Sequence, residues 1–320
     1  MNRDSMIERL QGEDFEILVV GGGATGLGVA VDAASRGYRT ALLEAEDFAK
    51  ATSSRSTKLV HGGVRYLEQM DISLVTEALR ERGIFYRNAP HIVRDLPFIV
   101  PRYKWWEGPF YGAGLKAYDL LAGKLNLAPS RMLDAEETIA EIPNVEKKDL
   151  KGGVRYHDGQ FDDARMATAL AMTAVDHGAA VANRCRVVGL LKDGDHCVGV
   201  RAVDLEGPGG GTEFEIRAKV VINACGIFAD EVRRMDEPEC DSVIEPAQGV
   251  HLVLDRSFQP SDTAIMVPHT DDGRVLFVIP WHGRVVVGTT DTPMPAADLE
   301  PRALPDEIEF ILRNANRYLA

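Results

Sequence analysis

The sequence predicts an α/β fold in which a parallel sheet, extended by an antiparallel β-meander, is interleaved with a second, mainly antiparallel domain. Three observations lead to this prediction. An apolar run at 15–20 is followed by a glycine turn, a helix of small residues at 24–35 and a second apolar run at 39–44, which is the pattern of a βαβ unit. Residues 180–224 form strands joined by short turns, and residues 251–289 again alternate between apolar runs and turns.

Size and composition indicate a globular protein with one large or two intermingled domains. The chain has 320 residues, of which 45% are hydrophobic and 27% charged, so a disordered or fibrous protein and a small disulfide scaffold are excluded. The net charge of −13 argues against nonspecific attraction to nucleic acid or anionic lipid. The four cysteines show no CxxC spacing, which favours a cytoplasmic location, and no Cys/His cluster predicts a metal site. No apolar run is long enough for a membrane span.

A dinucleotide fingerprint lies between the first predicted strand and helix. Gly21, Gly23 and Gly26 form GxGxxG, and Glu44 ends the next strand. The glycines permit a tight turn, a close approach of the backbone to a pyrophosphate and close packing of helix on strand, and the carboxylate can accept both ribose hydroxyls. The neighbouring residues Ala24, Thr25 and Ala45 are expected in the same site. Because Glu44 would repel a 2′-phosphate, NADP is disfavoured, and NAD or FAD remains.

A basic segment follows the ribose-binding strand. Between Asp47 and Glu68 there is no acidic residue, although the whole chain carries 49 acids against 36 Lys and Arg. The segment is also rich in hydroxyl groups. Such a segment can wrap phosphate and a flavin ring with amides and hydroxyls and offer a guanidinium to an anionic substrate. The alternative is an exposed loop with solvated lysines. Its cationic residues are Lys50, Arg55, Lys58 and Arg65.

Several motifs resemble those of the FAD-dependent glycerol-3-phosphate dehydrogenase family, from Glu16 to about Ala320. They are LVVGGGATGLGVAVDAASRG, LLEAEDFAKATSSRSTKLVHGGVRYLE, FDDARM, VINACGIFAD, FVIPW and GTTD. The resemblance implies FAD as the dinucleotide and a D-amino-acid-oxidase-like fold, in which a Rossmann-like FAD-binding domain is interleaved with an antiparallel substrate domain. The expected division is 15–100 and 150–235 for the FAD-binding domain, and 101–149 and 236–320 for an incomplete substrate domain.

The resemblance also implies roles for individual residues around the cofactor. Val187 would contact adenine through its backbone, and Ala224 and Gly226 would form a second turn close to the cofactor. Cys225 stands where family members often have threonine, and we expect a buried, unreactive thiol there. The residues expected to line the flavin are Thr52, Ser53, Ser54, Thr57, Lys58, Leu59, His61 and Gly62.

Oxidation of a secondary alcohol requires a base of moderate pKa beside an anion clamp, and His251 and Arg65 fit by residue type. The resemblance places His251 on the substrate side of the flavin and Arg65 with Tyr66 at the substrate phosphate. A strand histidine bonded for structural reasons is the alternative for His251. Asp291 and Asp230 are expected to be structural, fixing a turn and capping a helix.

The largest aromatic concentration in the chain is Trp105, Trp106, Phe110, Tyr111, Leu115 and Tyr118. One interpretation is a peripheral patch that meets the cytoplasmic face of a membrane and a lipid quinone. Buried packing between the two domains is the other interpretation, and it is favoured because glycines interrupt the helical pattern. A homodimer is left open.

The resulting functional hypothesis is oxidation of sn-glycerol 3-phosphate to dihydroxyacetone phosphate, with hydride transfer to flavin N5 and electrons passed to quinone. A flavin-dependent oxidase of amino or hydroxy acids is an alternative. A third is a truncated, inactive FAD-binding fragment, because the family's later Gly-Val-Arg-Pro and Gly-Gly-Lys-Leu-Thr-Thr stretches are absent. On this basis weak FAD binding and slow turnover are expected.

Overall fold

The computed structural model describes residues 2–63, 71–207 and 211–320. The chain groups into two units, each assembled from three stretches. The first unit comprises Met1–Ser56, Asp163–Pro246 and Met294–Glu300, and the second comprises Thr57–Asp162, Ala247–Pro293 and Pro301–Ala320.

The helices and strands of the described residues are numbered here in chain order. They are α1 (Arg3–Gly12), β1 (Phe15–Val20), α2 (Ala24–Ser35), β2 (Thr40–Leu43), β3 (Leu59–Val60), α3 (Ile72–Asn88), β4 (Val93–Arg102), α4 (Glu107–Ala122), β5 (Arg131–Leu133), α5 (Ala135–Glu141), β6 (Gly152–Phe161), α6 (Asp163–Asp176), β7 (Ala180–Ala182), β8 (Cys185–Asp193), β9 (His196–Asp204), β10 (Thr212–Asn223), α7 (Ala229–Asp236), β11 (Ala247–Gln248), β12 (His251–Asp255), β13 (Ala264–Val267), β14 (Leu276–Trp281), β15 (Arg284–Gly288), β16 (Thr292–Pro293) and α8 (Pro305–Ala315).

The first unit contains a sheet of order β7-β2-β1-β10-β9-β8. Strands β7, β2, β1 and β10 are parallel, and β10, β9 and β8 form an antiparallel meander. Strand β10 belongs to both parts, because residues 212–217 pair with β9 and residues 218–223 pair with β1. The predicted parallel sheet with a β-meander is therefore confirmed.

Both faces of this parallel sheet are covered. Val19 and Leu42 pack with α2 and α6, whereas Leu18, Ala41 and Leu43 belong to a cluster on the other face. Successive side chains of a strand point to opposite faces, so buried strands are apolar throughout. Helix α2 consists largely of small residues and lies against the alanines of α6, and this close packing supports the turn that precedes α2.

The second unit is built on a sheet of order β12-β15-β14-β13-β4-β6-β3, with β5 paired to β6. Its pairings are antiparallel apart from β13 with β4. A short antiparallel pair is formed by β11 and β16, which precede and follow β12–β15 in the sequence. The mainly antiparallel second domain is confirmed. The expected division differs from the observed grouping, since 57–100 and 150–162 lie in the second unit, where β4 pairs along its whole length with β6.

Local features define three of the helices. Helix α1 forms at the polar N-terminus because Met6 and Leu10 give it a buried stripe, and Asn2 caps it by accepting from the Asp4 amide at 3.0 Å. Asp71 caps α3 by accepting from the Leu74 amide at 3.0 Å. The last helix ends at Ala315 and buries Ile311 completely.

The glycines at 108, 112 and 114 do not interrupt α4. Tyr111, Leu115 and Tyr118 recur at helical spacing and are at most 6% exposed, so their burial outweighs the roughly 1 kcal/mol that each glycine costs. Burial of this stripe is confirmed, and the stripe packs in the core of the second unit itself. Burial does not hold for Trp105, which is 83% exposed, or for Phe110, which is 52% exposed. In the described ranges no helix is both long and apolar enough to cross a bilayer.

Phe98 tests the core of the second unit. Its ring is fully buried and lies 5.1 Å from the ring of Tyr156 and 5.9 Å from that of Phe277. Phe98→Ala should lower the free energy of unfolding by about 3–5 kcal/mol in urea titrations, because a cavity replaces these contacts. Phe258→Ala is the matched control, since Phe258 is 53% exposed, and should change it by less than about 0.5 kcal/mol. Equal losses would contradict the described core.

Candidate dinucleotide site

The turn after β1 requires glycine. Gly21 has φ of +110°, and a Cβ there would lie 2.5 Å from the carbonyl oxygen of Ala224. Its amide donates to Leu43 O at 2.8 Å, and the Ala224 amide donates to Val20 O at 2.8 Å. Gly21 is thus held between β2 and the segment after β10, and no larger residue fits.

Helix α2 lies so close to this turn that a side chain at Gly26 would overlap the turn. A Cβ at Gly26 would lie 1.9 Å from the carbonyl oxygen of Gly21, and one at Gly23 would lie 3.1 Å from Ser53 Oγ. The Ala24 amide donates to Ser53 Oγ at 2.9 Å. The positive end of the helix dipole therefore lies directly at the turn, which suits a phosphate group.

Glu44 follows β2 and lies at the same turn. Its Oε2 accepts from the Gly22 amide at 2.6 Å and its Oε1 from the Glu46 amide at 2.7 Å. These bonds fix the carboxylate beside the glycine turn. A carboxylate has about four acceptor sites, so Glu44 retains the capacity to accept from ribose hydroxyls.

A cavity of about 560 Å³ lies over this turn, entirely within the first unit. It contains the expected residues Gly21, Gly23, Ala24, Thr25, Glu44, Ala45, Thr52, Ser53, Val187, Ala224 and Gly226. Gly26 lies beneath it, against Gly21. The glycine turn, the acid and the turn after β10 are thus brought together, and a dinucleotide fits their chemistry.

Other residues of the cavity were not singled out as site residues from the sequence. They include Arg186, Val188, Ile227, Phe228, Glu231, Val232, Met235 and Leu299, whereas Lys50 belongs to the basic segment. Ile227 and Phe228 lie within the VINACGIFAD motif, and Glu231, Val232 and Met235 follow on α7, so this motif was the available signal for them. No local signal relates Leu299 to a turn more than 270 positions earlier.

The cations of the basic segment nearest the cavity are paired with an acid. Lys50 forms a short ion pair with Glu300, and Arg55 binds the same carboxylate at 3.1 Å and Leu299 O at 2.7 Å. Both cations are therefore engaged by Glu300 within the first unit, although their side chains remain 40% and 37% exposed.

Asp163 of the FDDARM motif fixes the end of this segment. Its carboxylate accepts from Ser56 Oγ at 2.7 Å and from the Ser56 amide at 3.2 Å, and it is 1% exposed. Its other oxygen accepts from the Ala164 amide at 2.8 Å. The motif thus connects the hydroxyl-rich segment to the start of α6.

Of the remaining expected flavin residues, Ser54 follows Ser53 in the first unit and the others lie in the second unit. Thr57 Oγ1 and His251 Nε2 are 3.0 Å apart, so the structure brings these two together. Lys58 has φ of +62°, and its carbonyl accepts from the Phe161 amide at 3.0 Å. Leu59 lies in β3, and His61 and Gly62 follow it. Arg65 and Tyr66 lie outside the described residues.

The two aspartates expected to be structural have specific partners. Helix α7 starts at Ala229 after Phe228, so Asp230 is not its cap. Instead, Asp230 accepts from Arg233 at 2.7 Å and from the Val243 and Ile244 amides at 3.1 Å. The Arg233 bond, followed by those amide bonds, holds the pKa of Asp230 below its ordinary value. Asp291 pairs with Arg274 at 3.5 Å.

Substitution of Gly26 tests the close contact between α2 and the turn. Gly26→Ala should abolish dinucleotide binding in fluorescence titrations, because the new methyl group overlaps the Gly21 carbonyl. Gly28→Ala lies in the same helix, where no atom would be within 4 Å of the added Cβ, and should keep binding and raise the free energy of unfolding by up to about 1 kcal/mol. Retained binding in Gly26→Ala would overturn the site.

Alkylation of Cys225, which lines the cavity, tests the described cavity wall. Burial, with smaller contributions from Glu44 and Glu231, raises the pKa of its thiol to about 11. At pH 8 the thiolate is then roughly 200-fold scarcer than in a free cysteine, an effect offset about tenfold by higher nucleophilicity. Peptide-resolved alkylation should therefore be about 20-fold slower than for the same residue in urea-unfolded chain. Similar native and unfolded rates would show that the thiol is not buried.

Comparisons with known proteins agree with this architecture. The family described as FAD dependent oxidoreductase matches residues 16–320. The mitochondrial glycerol-3-phosphate dehydrogenase of Macaca fascicularis is 44% identical over 335 aligned positions, which cover 100% of this chain and 45% of that protein. Its counterpart in Schizosaccharomyces pombe is 43% identical, covering 99% of this chain and 51% of that protein.

A solved structure extends the comparison to the fold. The glycerol-3-phosphate dehydrogenase from Bacillus halodurans complexed with FAD superimposes with a TM-score of 0.80 and 34% identity, covering 99% of this chain and 55% of that chain. The chain therefore spans about half the length of these relatives. The resemblance inferred from the sequence motifs is confirmed. On its sequence and its fold, the chain belongs to the FAD-dependent oxidoreductase family.

Proposed function

We propose that this chain binds FAD and oxidises sn-glycerol 3-phosphate to dihydroxyacetone phosphate. One observation carries the proposal: Gly21, Glu44 and Val187 line the same cavity. A dinucleotide site requires this arrangement of glycine turn, acid and neighbouring strand. The substrate is supported by 43–44% identity to glycerol-3-phosphate dehydrogenases over essentially the whole chain.

The residues of the cavity suit each part of the adenosine diphosphate. The glycine turn and the positive end of the α2 dipole would hold the pyrophosphate, Glu44 the ribose and the Val187 backbone the adenine. Thr52 and Ser53 line the same cavity as the turn, and Ser54 follows them in the first unit. In the proposal these three residues line the flavin together with Thr57, Lys58, Leu59, His61 and Gly62, as the family motifs imply.

The chemistry requires a group that accepts the hydroxyl proton as the alcohol becomes a ketone. Bound FAD supplies the acceptor for the hydride that leaves the alcohol carbon. His251 is the proposed base, since an imidazole accepts a proton near neutral pH, and its bond to Thr57 holds the ring. Arg65 and Tyr66 are proposed for the substrate phosphate, in line with guanidinium recognition of phosphate.

The acceptor and the location belong to the same proposal. Quinone is proposed to take the electrons at a peripheral membrane contact on the cytoplasmic side. The exposed aromatic rings of Trp105, Trp106 and Phe110 support this contact, because such rings favour the membrane interface. A homodimer remains a hypothesis.

Anaerobic reduction tests the function directly. Protein loaded with FAD should lose its visible flavin absorbance on addition of sn-glycerol 3-phosphate. An unchanged spectrum with glycerol 3-phosphate and peroxide release with amino or hydroxy acids would reject the dehydrogenase and select an oxidase. FAD that stays bound yet oxidised with every substrate would leave the chain as a flavin-binding fragment.

His251→Asn refines the same experiment. The variant should keep FAD and reduce it roughly 10²- to 10⁴-fold more slowly, since the base is removed. His196→Asn is the matched control, because His196 is exposed at the start of β9 in the first unit, and should reduce FAD at the wild-type rate. Equal rates in all three proteins would exclude His251 as the base.

A further inference from the structure

The second unit contains a charged network inside its core. Arg82 of α3, Asp158 of β6 and Tyr118 of α4 are 0%, 2% and 1% exposed. Arg82 Nη1 donates to Asp158 Oδ1 at 2.8 Å, and Tyr118 Oη donates to Asp158 Oδ2 at 2.8 Å. The surrounding cluster is apolar, so the ion pair is shielded from water.

Stability alone does not account for this network. The cost of desolvating a buried ion pair largely cancels the attraction between its charges. Replacing such a pair with apolar residues of similar volume often leaves the protein equally stable or makes it more stable. Arg82 is also incompletely satisfied, since its buried Nε has no hydrogen-bond partner among the described residues. A specific positional task would explain why charge is placed here.

The network converges on one backbone amide. The Gly62 N–H donates to Tyr118 Oη at 2.8 Å and to Asp158 Oδ1 at 3.3 Å. The pairing of β3 with β6 explains this meeting, because Leu59 faces Gln160 and Val60 faces Gly159, so the next residues of β3 reach Asp158. Burial raises the pKa of Tyr118 well above its ordinary value, so the hydroxyl keeps the proton that it donates.

The backbone at Gly62 is packed tightly against α3 and α4. A Cβ on Gly62 would lie 2.3 Å from Leu79 Cδ2 and 2.4 Å from Tyr118 Oη. The next amide, of Gly63, donates to His61 Nδ1 at 3.0 Å. Fixing Gly62 therefore also fixes the ring of His61 through the turn that carries it.

We infer that Tyr118, Asp158 and Arg82 are positioning residues, which hold the His61–Gly63 turn against the flavin ring. The inference rests on the proposed function, which assigns His61 and Gly62 to the flavin. None of the three residues contacts the cofactor in this proposal. They act through the Gly62 amide.

Tyr118→Phe removes only the hydroxyl group that accepts the hydrogen bond from the Gly62 amide. It should weaken FAD binding roughly 5- to 30-fold, as expected for an unsatisfied buried partner. It should also change the visible circular dichroism of the bound flavin and speed deuterium exchange in the peptide containing Gly62. All three are measured on the full chain.

Tyr156→Phe is the matched control. Tyr156 lies in the same cluster, is 1% exposed and donates its hydroxyl to Met266 Sδ at 3.5 Å, away from Gly62. It should keep wild-type FAD affinity, flavin dichroism and exchange. If Tyr118→Phe matched Tyr156→Phe in these measurements while wild type bound FAD, the positioning role would be rejected and the proposed function would stand. Wild-type chain that takes up no FAD would reject the proposed function itself.

A double variant provides the test if Tyr118→Phe does not fold. Arg82→Met with Asp158→Leu removes both charges together, which leaves no unpaired ion in the core. It should fold, yet bind FAD as weakly as expected for Tyr118→Phe, because the tyrosine hydroxyl loses the acceptor that orients it. Wild-type affinity in the folded double variant would overturn the inference.

Discussion

The contact between the start of α2 and the turn after β1 is the constraint on which the first unit depends. Gly26 lies so close to the Gly21 carbonyl that a single methyl group would overlap it. This proximity directs the helix dipole at the turn, and the bonds of Gly21 to Leu43 and of Ala224 to Val20 hold β2 and the end of β10 around it. The cavity lies where the turn, the start of α2 and the end of β10 meet, and glycine at positions 21 and 26 permits this close approach.

The second unit positions its residues by a different means. Its turn at His61–Gly63 is held by a hydrogen-bond network with two charges inside an apolar cluster. A close backbone contact costs little but admits only glycine, whereas a buried ion pair is costly but can fix one amide from several directions. The two units thus each hold a backbone turn rigidly, by opposite chemistry.

Much of this could be predicted from sequence because it is local. The GxGxxG turn, Glu44 and the meander are patterns of spacing within a few dozen residues, and each was found in place. Long-range pairing could not be predicted. The assignment of 57–100 depends on β4 meeting β6, and the partners of Lys50 and Arg55 come from residue 300. Helix α4 formed despite its glycines because its buried stripe is a tertiary effect.

The interleaving of the two units has a consequence for how the protein can be divided. The stretch Met294–Glu300 packs with the first unit although both of its flanks belong to the second, and each unit is assembled from three stretches. No single proteolytic cut can release either unit in one piece. Because each unit is encoded by three separate stretches, neither can be transferred to another protein as one uninterrupted segment.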